Sequence, residues 1–332
     1  MNFWRHSIWK WGTWIWIIHF PFLGFSESRY YVTQSTIKAS AVAMGGAFTA
    51  VPGELSALDG NPACFSLGEW GQKGMNIFFN PVVPFLFLRN REAFSYDGEW
   101  AYSLFRGVGL MWGRVQLGCL IGEESLTDSA RLHRSDPWEV GGKVKNRHST
   151  LGLAFFLSPK VSLGVAGEWF FEKGKPSFSL GYRYGIQLRV RPNLMIGMCY
   201  FDFPEAHRED RVEVERLGDE TLNAGVSYLP FSWMELAMDI RNVTEEGKIA
   251  IREPHVGIEI SPWKSLGFRC GYYRNRNFRS NAFSGGLGIR SPSKVQFEFS
   301  LVQEEKNSQK ATWIFFTSIW RVNLFQKVPQ EE

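Results

Sequence analysis

The chain has 332 residues, of which 44% are hydrophobic and 16% aromatic, and its formal net charge is +4. Acidic and basic residues are mixed along the chain rather than massed, which excludes the concentrated basic surface of a nucleic-acid-binding protein. A soluble protein of this length would form about two domains, whereas a β-barrel of this length is one domain. No stretch after the first 25 residues is apolar and long enough for a membrane helix.

Residues 1–26 are typical of a secretory signal peptide. Arg5 and Lys10 give a basic start, an apolar run follows, and the small residues around Ser26 suit cleavage after that position. A retained anchor helix is the alternative, but the apolar run is short for a membrane span and Pro21 interrupts it. The sequence therefore predicts an exported protein.

From Gly74 onward the apolar residues recur with a period of two, which indicates β-strands. The clearest run extends from Phe178 to Val190, where apolar and aromatic residues alternate with small or charged ones. Thirteen residues of alternation are long for a soluble sandwich strand. We predict about 14 strands, with 12 as the lower count, at residues 74–80, 98–106, 108–121, 148–158, 160–172, 177–190, 193–203, 220–229, 232–242, 255–261, 264–273, 281–290, 294–303 and 311–325.

The connections between these strands alternate in length. Short turns with proline are predicted at residues 158–160, 191–193, 229–231, 261–263 and 291–293. Longer polar stretches separate them, and the longest of these is residues 123–147. Short turns on one side and long loops on the other are typical of an outer-membrane barrel with periplasmic turns.

A sheet in lipid cannot leave an edge unpaired, because each unsatisfied backbone group costs several kcal/mol. The predicted fold class is therefore all-β, a closed transmembrane antiparallel β-barrel. Its apolar face must point outward and its mixed face into the lumen. The predicted lumen-lining polar residues are Glu168, Arg183, Gln187, Arg189, Glu235, Asp239, Arg241, Glu259, Arg269, Arg290 and Glu298.

Residues 39–63 form a small, Gly/Ala-rich stretch between the signal and the strands. Gly45-Gly46 permits a tight bend, and Asn61-Pro62 favours a turn. The stretch has no G-x-G-x-x-G and no preceding strand, so a dinucleotide-binding loop is a poor alternative. We predict a compact plug folded inside the barrel.

The motif M-G-G-A-F-T-A-V followed by S-A-L-D-G-N-P-A resembles the N-terminal box of FadL-like and PorV-like outer-membrane barrels. Asp59-Gly60 replaces the aromatic that usually precedes Asn-Pro-Ala. The resemblance implies a plug, or hatch, at the lumen or its periplasmic mouth. The residues carried over from the motif are Met44, Gly45, Gly46, Phe48, Ser56, Asn61 and Pro62.

The resemblance implies two functions. FadL-like members pass hydrophobic small molecules through the outer membrane, and the plug would be their gate. PorV-like members dock secretion-system proteins without transporting small molecules. A third hypothesis, independent of the resemblance, is a soluble all-β secreted protein. The implied surroundings are outer-membrane lipid and lipopolysaccharide, with the barrel assembly machinery recognising the aromatic-rich last strand.

The predicted domain organisation is a signal peptide at 1–26, a plug segment at 27–73, the barrel at 74–325 and a tail at 326–332.

No catalytic motif, cofactor site or metal site is predicted. The four cysteines form no C-x-x-C pair, so a metal knuckle is not expected, and their spacing leaves disulfide pairing open. The histidines fall in loops or at strand ends. Asp202, Glu205, His207 and Asp210 could form a protease site at the rim, but their spacing is not diagnostic and a solvated charged loop is the better account of them.

Overall fold

Fourteen β-strands close into a barrel around a short N-terminal segment. The computed structural model describes residues 29–33, 39–68, 71–81, 104–124, 146–172, 178–202, 221–241, 244–245, 248–249, 253–275, 280–291, 294–306 and 309–327. The predicted signal peptide, residues 98–103, the loop at 125–145 and the polar residues Glu205, His207 and Asp210 lie outside these ranges.

The strands are β1 (Arg29–Thr33), β2 (Lys73–Phe79), β3 (Phe105–Trp112), β4 (Val115–Glu124), β5 (Asn146–Ser158), β6 (Val161–Glu172), β7 (Phe178–Arg191), β8 (Leu194–Asp202), β9 (Thr221–Phe231), β10 (Met234–Arg241), β11 (Thr244–Glu245), β12 (Lys248–Ile249), β13 (Glu253–Trp263), β14 (Leu266–Asn275), β15 (Ser280–Arg290), β16 (Val295–Lys306) and β17 (Gln309–Lys327). The helices are α1 (Ala39–Ala43) and two 3₁₀ turns, η1 (Leu55–Asp59) and η2 (Pro62–Cys64).

Strands β2–β10 and β13–β17 form the barrel, each pairing antiparallel with the next. The barrel closes where β17 pairs antiparallel with β2, from Trp320 opposite Phe79 to Lys327 opposite Lys73. β1 lies parallel to β17, and β11 pairs only with β12. The predicted closed barrel of 14 antiparallel strands is confirmed.

The outer face of the barrel is apolar. In β7, Tyr182 and Tyr184 are exposed while Arg183 between them is buried. The same inversion holds in β10, where Met238 is 61% exposed and Asp239 is 3% exposed. A water-soluble barrel would show the opposite pattern, so this exterior suits hydrocarbon surroundings.

The predicted boundary between two strands at residue 107 is wrong. The chain turns instead at Gly113-Arg114, between β3 and β4. Gly113 has φ +62°, the left-handed conformation that a tight turn requires and that glycine adopts without cost. The pairing of β2 with β3 shifts register beside Gly107, but β3 continues through this residue to Trp112.

Two of the predicted proline turns are displaced. Pro230 and Pro262 lie inside the ends of β9 and β13, and the chain turns after residues 231 and 263. The ladder shifts register beside both positions. Proline has no N–H to donate, so it is tolerated at such irregular strand ends. The turns at residues 158–160 and 191–193 lie where they are predicted.

Among the residues that the structure describes, no helix is both long and apolar enough to cross a membrane.

Residues 39–68, here called the N-terminal segment, lie inside the barrel. Phe65 and Leu58 of this segment are fully buried and pack with Leu120 and Met111 of the wall. A second apolar cluster joins Met44 and Ala47 of the segment to the wall. The hydrophobic core of this protein is therefore the contact between the segment and the inner wall.

Candidate functional site

The N-terminal segment contacts the inner wall on every side of the barrel. Helix α1 lies against β14–β17, η1 against β3–β5, and η2 against β5–β8. Between α1 and η1, the chain around Thr49 reaches β8–β10 through the contacts described below. The wall bonds mostly to backbone groups of the segment.

Helix α1 is anchored at its start by two side chains of the wall. The N–H of Ala39 donates to Thr317 Oγ1 at 3.2 Å, and the N–H of Ser40 donates to Glu298 Oε2 at 3.3 Å. These N–H groups have no partner within the helix, so the wall supplies it.

Glu298 belongs to an ion-pair network whose inner members, Glu298 and Arg269, are buried. Arg269 Nη2 lies 3.4 Å from Glu298 Oε1, and Arg269 Nε lies 2.6 Å from Glu259 Oε2. Arg290 Nη2 donates to Glu259 Oε1 at 2.9 Å. Four side chains of β13–β16 therefore hold one another in place beside α1, and buried charges need such pairing.

The Gly45-Gly46 bend sits directly on strands β13–β15. Both glycines have positive φ, +65° and +73°. The N–H of Gly45 donates to Ser284 Oγ at 2.9 Å, and its carbonyl oxygen lies 2.5 Å from His255 Nδ1. Arg241 donates to the carbonyl of Gly46. His255 was expected at a strand end without a role, but it is buried and holds this bend.

Asp239 of β10 accepts three hydrogen bonds from the segment. The donors are the N–H of Phe48 at 2.9 Å, the N–H of Thr49 at 2.9 Å and the Thr49 hydroxyl at 2.7 Å, all to Oδ2. Arg241 Nε lies 4.0 Å from the same oxygen, and the Arg241 guanidinium stacks over the Phe48 ring at 4.5 Å. A charged acceptor makes these bonds stronger than neutral ones.

Asn61 bonds both to the segment itself and to the wall. Its Nδ2 donates to the carbonyls of Thr49 at 2.8 Å, Ile186 at 3.2 Å and Met198 at 3.3 Å. Its Oδ1 accepts the N–H of Ala63 at 3.0 Å and so caps η2. The amide is needed as both donor and acceptor, which an aspartate could not be.

Asp59 lies in a buried polar cluster with strands β5–β7. The hydroxyl of Thr150 donates to Asp59 Oδ1 at 2.9 Å, and Arg183 Nη1 lies 3.8 Å from the same atom. Arg183 also pairs with Glu168 and donates to the carbonyl of Leu58 at 3.3 Å. Arg183 thus joins two carboxylates, one from the wall and one from the segment.

The wall beneath the segment is built from inward-facing glycines, several of them paired across neighbouring strands. A Cβ at Gly185 would overlap Asn61 Oδ1, and one at Gly197 would overlap the Thr49 carbonyl. Only glycine, which has no Cβ, lets the segment's backbone approach the wall this closely. The cross-strand pairs are Gly109–Gly118, Gly118–Gly152, Gly164–Gly185, Gly197–Gly225 and Gly257–Gly271.

A cavity of about 560 Å³ lies between the segment and the short-turn end of the barrel. The segment supplies most of its lining, including Met44, Phe48 and Ser56. The wall supplies four polar side chains near the short turns: Glu235, Glu259, Arg290 and Gln296. This volume falls in the range of small-molecule sites.

The structure places all seven residues of the predicted plug motif inside the barrel. Met44, Gly45, Asn61 and Pro62 are buried, and Gly46, Phe48 and Ser56 are half-buried. Pro62 begins η2 and lies against Gly164.

The predicted lumen-lining residues divide into three groups. Glu168, Arg183, Asp239, Arg241, Arg269 and Glu298 are buried and form the contacts above. Gln187, Glu235, Glu259 and Arg290 are half-buried; Gln187 Nε2 donates to the Ala50 carbonyl at 3.0 Å, and Glu235 accepts from Ser227 Oγ at 2.7 Å. Arg189 is exposed near the short turn after β7.

Sequence reasoning missed several residues that hold the segment. Gln116 accepts the N–H of Leu67 at 2.8 Å, and Arg321 pairs with Glu54. Ser284 and Thr317 also belong to this set. Their inward position in the strands was a usable signal, but the partner in the segment could not be read from spacing.

The buried thiol of Cys64 has low chemical reactivity. It donates to the Thr49 carbonyl at 3.3 Å. Burial raises the pKa of Cys64 well above its ordinary value of about 9, and the nearby Cys199 and Asp239 raise this pKa further. The thiolate is the reactive form, so this cysteine is a weak nucleophile. All four cysteines are free.

Within the described ranges, no group of three or more His, Cys, Asp or Glu side chains could hold a metal ion. The buried carboxylates and guanidinium groups above are used in holding the segment. What this arrangement can do is retain a peptide segment in the lumen and leave a small-molecule-sized cavity beside it.

No protein-family model and no curated protein sequence matches the chain. Solved structures of similar architecture include the toluene transporter TbuX of Ralstonia pickettii, 13% identical with a TM-score of 0.48 over 87% of this chain and 97% of that chain. The CymD monoaromatic hydrocarbon channel is 14% identical, with a TM-score of 0.47, and the match covers 89% of this chain and 98% of that chain. A FadL homologue of Pseudomonas aeruginosa is 10% identical, with a TM-score of 0.45, and the match covers 89% of this chain and 97% of that chain. Values this low carry no argument about function.

Proposed function

We propose that this protein is an outer-membrane channel for small, largely apolar molecules, with the N-terminal segment as its plug. The observation that carries the proposal is the cavity of about 560 Å³ beside the segment, inside a closed barrel. A carrier of small molecules needs such a pocket next to its plug, whereas a protein that only docks partners does not.

The outer-membrane location is supported by the exterior of the barrel. Its outward side chains are apolar, and Trp112 and Trp263 at the short-turn end are 69% and 62% exposed. Tryptophan collects at the interfaces of membrane barrels. The short turns would face the periplasm and the long connections the outside, so the cavity would lie on the periplasmic side of the plug.

The role of the segment as a plug is supported by how it is held. It crosses the interior and is bonded by side chains from strands on all sides, including Glu298, Asp239 and Arg183. A segment held this way would close a lumen that would otherwise be wide. The seven residues of the plug motif would act by setting its fold, not by reacting.

Removing the plug tests the proposal. Deleting residues 41–63 is expected to give large, steady conductance in planar bilayers, while the full chain conducts little. Heat-modifiable migration on an unboiled gel shows whether each protein has closed its barrel. Unchanged conductance in a heat-modifiable deletion protein would contradict the plug.

The deletion also removes core contacts, so a milder variant keeps the test informative. Asp239→Ala removes the acceptor for Phe48 and Thr49 and the carboxylate beside Arg241, and is expected to raise the frequency of open events. The secretion-scaffold alternative would instead require a partner protein that copurifies with the barrel.

A further inference from the structure

We propose that the cavity beside the plug selects small molecules that carry a neutral hydrogen-bond acceptor, such as a ketone or ester carbonyl, on an apolar body. This inference rests on the proposed channel function and specifies its substrate class. It assigns the recognition of the acceptor to Arg290 and Gln296, two wall side chains that line the cavity.

Arg290 and Gln296, here called the donor patch, lie directly opposite each other at the short-turn end of β15 and β16. Residues paired in this way point to the same side of a sheet, with their Cβ atoms about 5 Å apart. Both side chains are half-buried and line the cavity. Their N–H groups therefore come from one small area of the wall.

Most of the donors in this patch are unused within the protein. Arg290 donates through Nη2 to Glu259 Oε1 at 2.9 Å, which leaves the N–H groups on Nε and Nη1. Among the residues that the structure describes, none hydrogen-bonds to the side-chain amide of Gln296. A guanidinium group and an amide nitrogen both donate, so together they suit an oxygen acceptor on a solute.

The positive charge of Arg290 is already balanced. Arg290 and Arg269 both pair with Glu259, and Arg269 also pairs with Glu298, so two guanidinium groups share two carboxylates. A carboxylate solute would lose its hydration here without gaining a net positive partner, and burying such a charge is costly. A neutral carbonyl gives up less hydration, so the donor patch favours a carbonyl over a carboxylate.

Two further arginines near the cavity lie beside carboxylates as well. Arg321 pairs with Glu54, and Arg241, whose guanidinium lies over the Phe48 ring, is 4.0 Å from Asp239. A solute anion at either arginine would meet the carboxylate that is already in place. These arginines therefore do not turn the cavity into an anion site.

The apolar body of the solute lies against the N-terminal segment in this proposal. On that side the cavity is lined by Met44, Phe48 and Val51, with small Ala and Gly residues between them. Burial of apolar area supplies most of the affinity of such a site, and a few polar groups fix the orientation of the ligand. The donor patch on the wall would thus turn the carbonyl toward β15 and β16.

The donor patch can be changed without releasing the plug. Among the described residues, neither side chain of the patch bonds to the N-terminal segment, and Glu259 keeps its bonds to Arg269 and Ser261 when Arg290 is replaced. Gln296→Met and Arg290→Met keep a long, flexible side chain and remove the donors. Gln303→Met, on the same strand but outside the cavity lining, is the matched control.

Three probes with the same number of non-hydrogen atoms separate the acceptor from its charge: acetophenone, cumene and benzoate. Equilibrium dialysis of the full folded chain in neutral-detergent micelles, against protein-free micelles, measures the binding of each probe and subtracts its partition into detergent. We expect acetophenone to bind more tightly than benzoate. Gln296→Met and Arg290→Met should each weaken acetophenone about fivefold, as the loss of one hydrogen bond predicts, and change cumene by less than about twofold. Gln303→Met should bind all three probes like the unsubstituted chain.

The outcomes separate the inference from the proposed function. If a variant of the donor patch weakens acetophenone and cumene alike, or leaves acetophenone unchanged, the inference fails, and the channel proposal stands because both probes bind the unsubstituted chain. Tighter binding of benzoate than of acetophenone would also overturn the inference, because the preferred solute would then be an anion. If neither acetophenone nor cumene binds a heat-modifiable protein, the inference fails and the channel loses the observation on which it rests.

Discussion

Asp239 of the wall accepts both the backbone N–H and the hydroxyl of Thr49, at 2.9 and 2.7 Å, on one carboxylate oxygen. The same oxygen accepts the N–H of Phe48. One wall side chain therefore fixes two consecutive residues of the segment midway between its two helical ends. This contact attaches the segment through three hydrogen bonds to one oxygen.

Asp239→Ala is expected to loosen the segment without unfolding the barrel. The substitution leaves two buried N–H groups without their acceptor, at a cost of about 1–3 kcal/mol for each. Cys64 then becomes accessible, and maleimide labelling of this thiol in the folded protein measures the change. Glu305→Ala, at an exposed position of β16, is the control and should label like the unsubstituted chain.

The glycine wall gives a second prediction. Gly185→Ala places a Cβ against Asn61 Oδ1, so the segment must shift or the barrel must strain, at a cost of about 1–3 kcal/mol. Equilibrium unfolding in urea, followed by tryptophan emission in micelles, measures the loss. At Gly167 on the neighbouring strand the nearest neighbour of a new Cβ is Trp169 at 3.8 Å, so Gly167→Ala should change little. Equal losses in both variants would contradict the close seating of the segment.

Removal of Arg183 is expected to destabilise the protein strongly. Arg183→Met leaves the carboxylates of Glu168 and Asp59 buried without their cation, and breaking a buried pair costs about 3–5 kcal/mol. The midpoint of urea unfolding should fall strongly. Arg189→Met, on the same strand but exposed, should stay within about 0.5 kcal/mol of the unsubstituted protein. Similar midpoints for the two variants would count against the cluster.

The raised pKa of Cys64 predicts that the protein loses stability at high pH. Its pKa is raised in the folded state, so the folded chain favours the neutral thiol and the unfolded chain releases the proton more readily. The stabilisation is complete below about pH 9 and falls as the pH rises above the unfolded pKa. The free energy of unfolding, measured between pH 8 and 11, should fall less steeply in Cys64→Ala than in the unsubstituted chain. Parallel curves would show that the thiol does not contribute.

Much of the architecture was readable from sequence because a strand's pattern is local. The alternation around Arg183 predicted which side chains face inward, and the need to pair every backbone group in lipid predicted closure. The barrel strands from β5 onward lie within a few residues of their predicted positions. The error at Gly107 arose because Gly107 and Gly113 lie close together in the sequence and either could form the turn. Only the backbone conformation distinguishes these two glycines.

The sequence by itself determined that strands with an apolar outer face must close into a barrel, and that a segment rich in small residues precedes them. Only the tertiary structure decided which wall residue meets which residue of that segment. Asp239 and Thr49 are 190 positions apart, and Asn61 contacts strands more than 120 residues away. Such contacts depend on how far each strand is offset from the next around the barrel, and no local pattern fixes that offset. The position of the cavity follows from the same offsets, because it is the space that the seated segment leaves open.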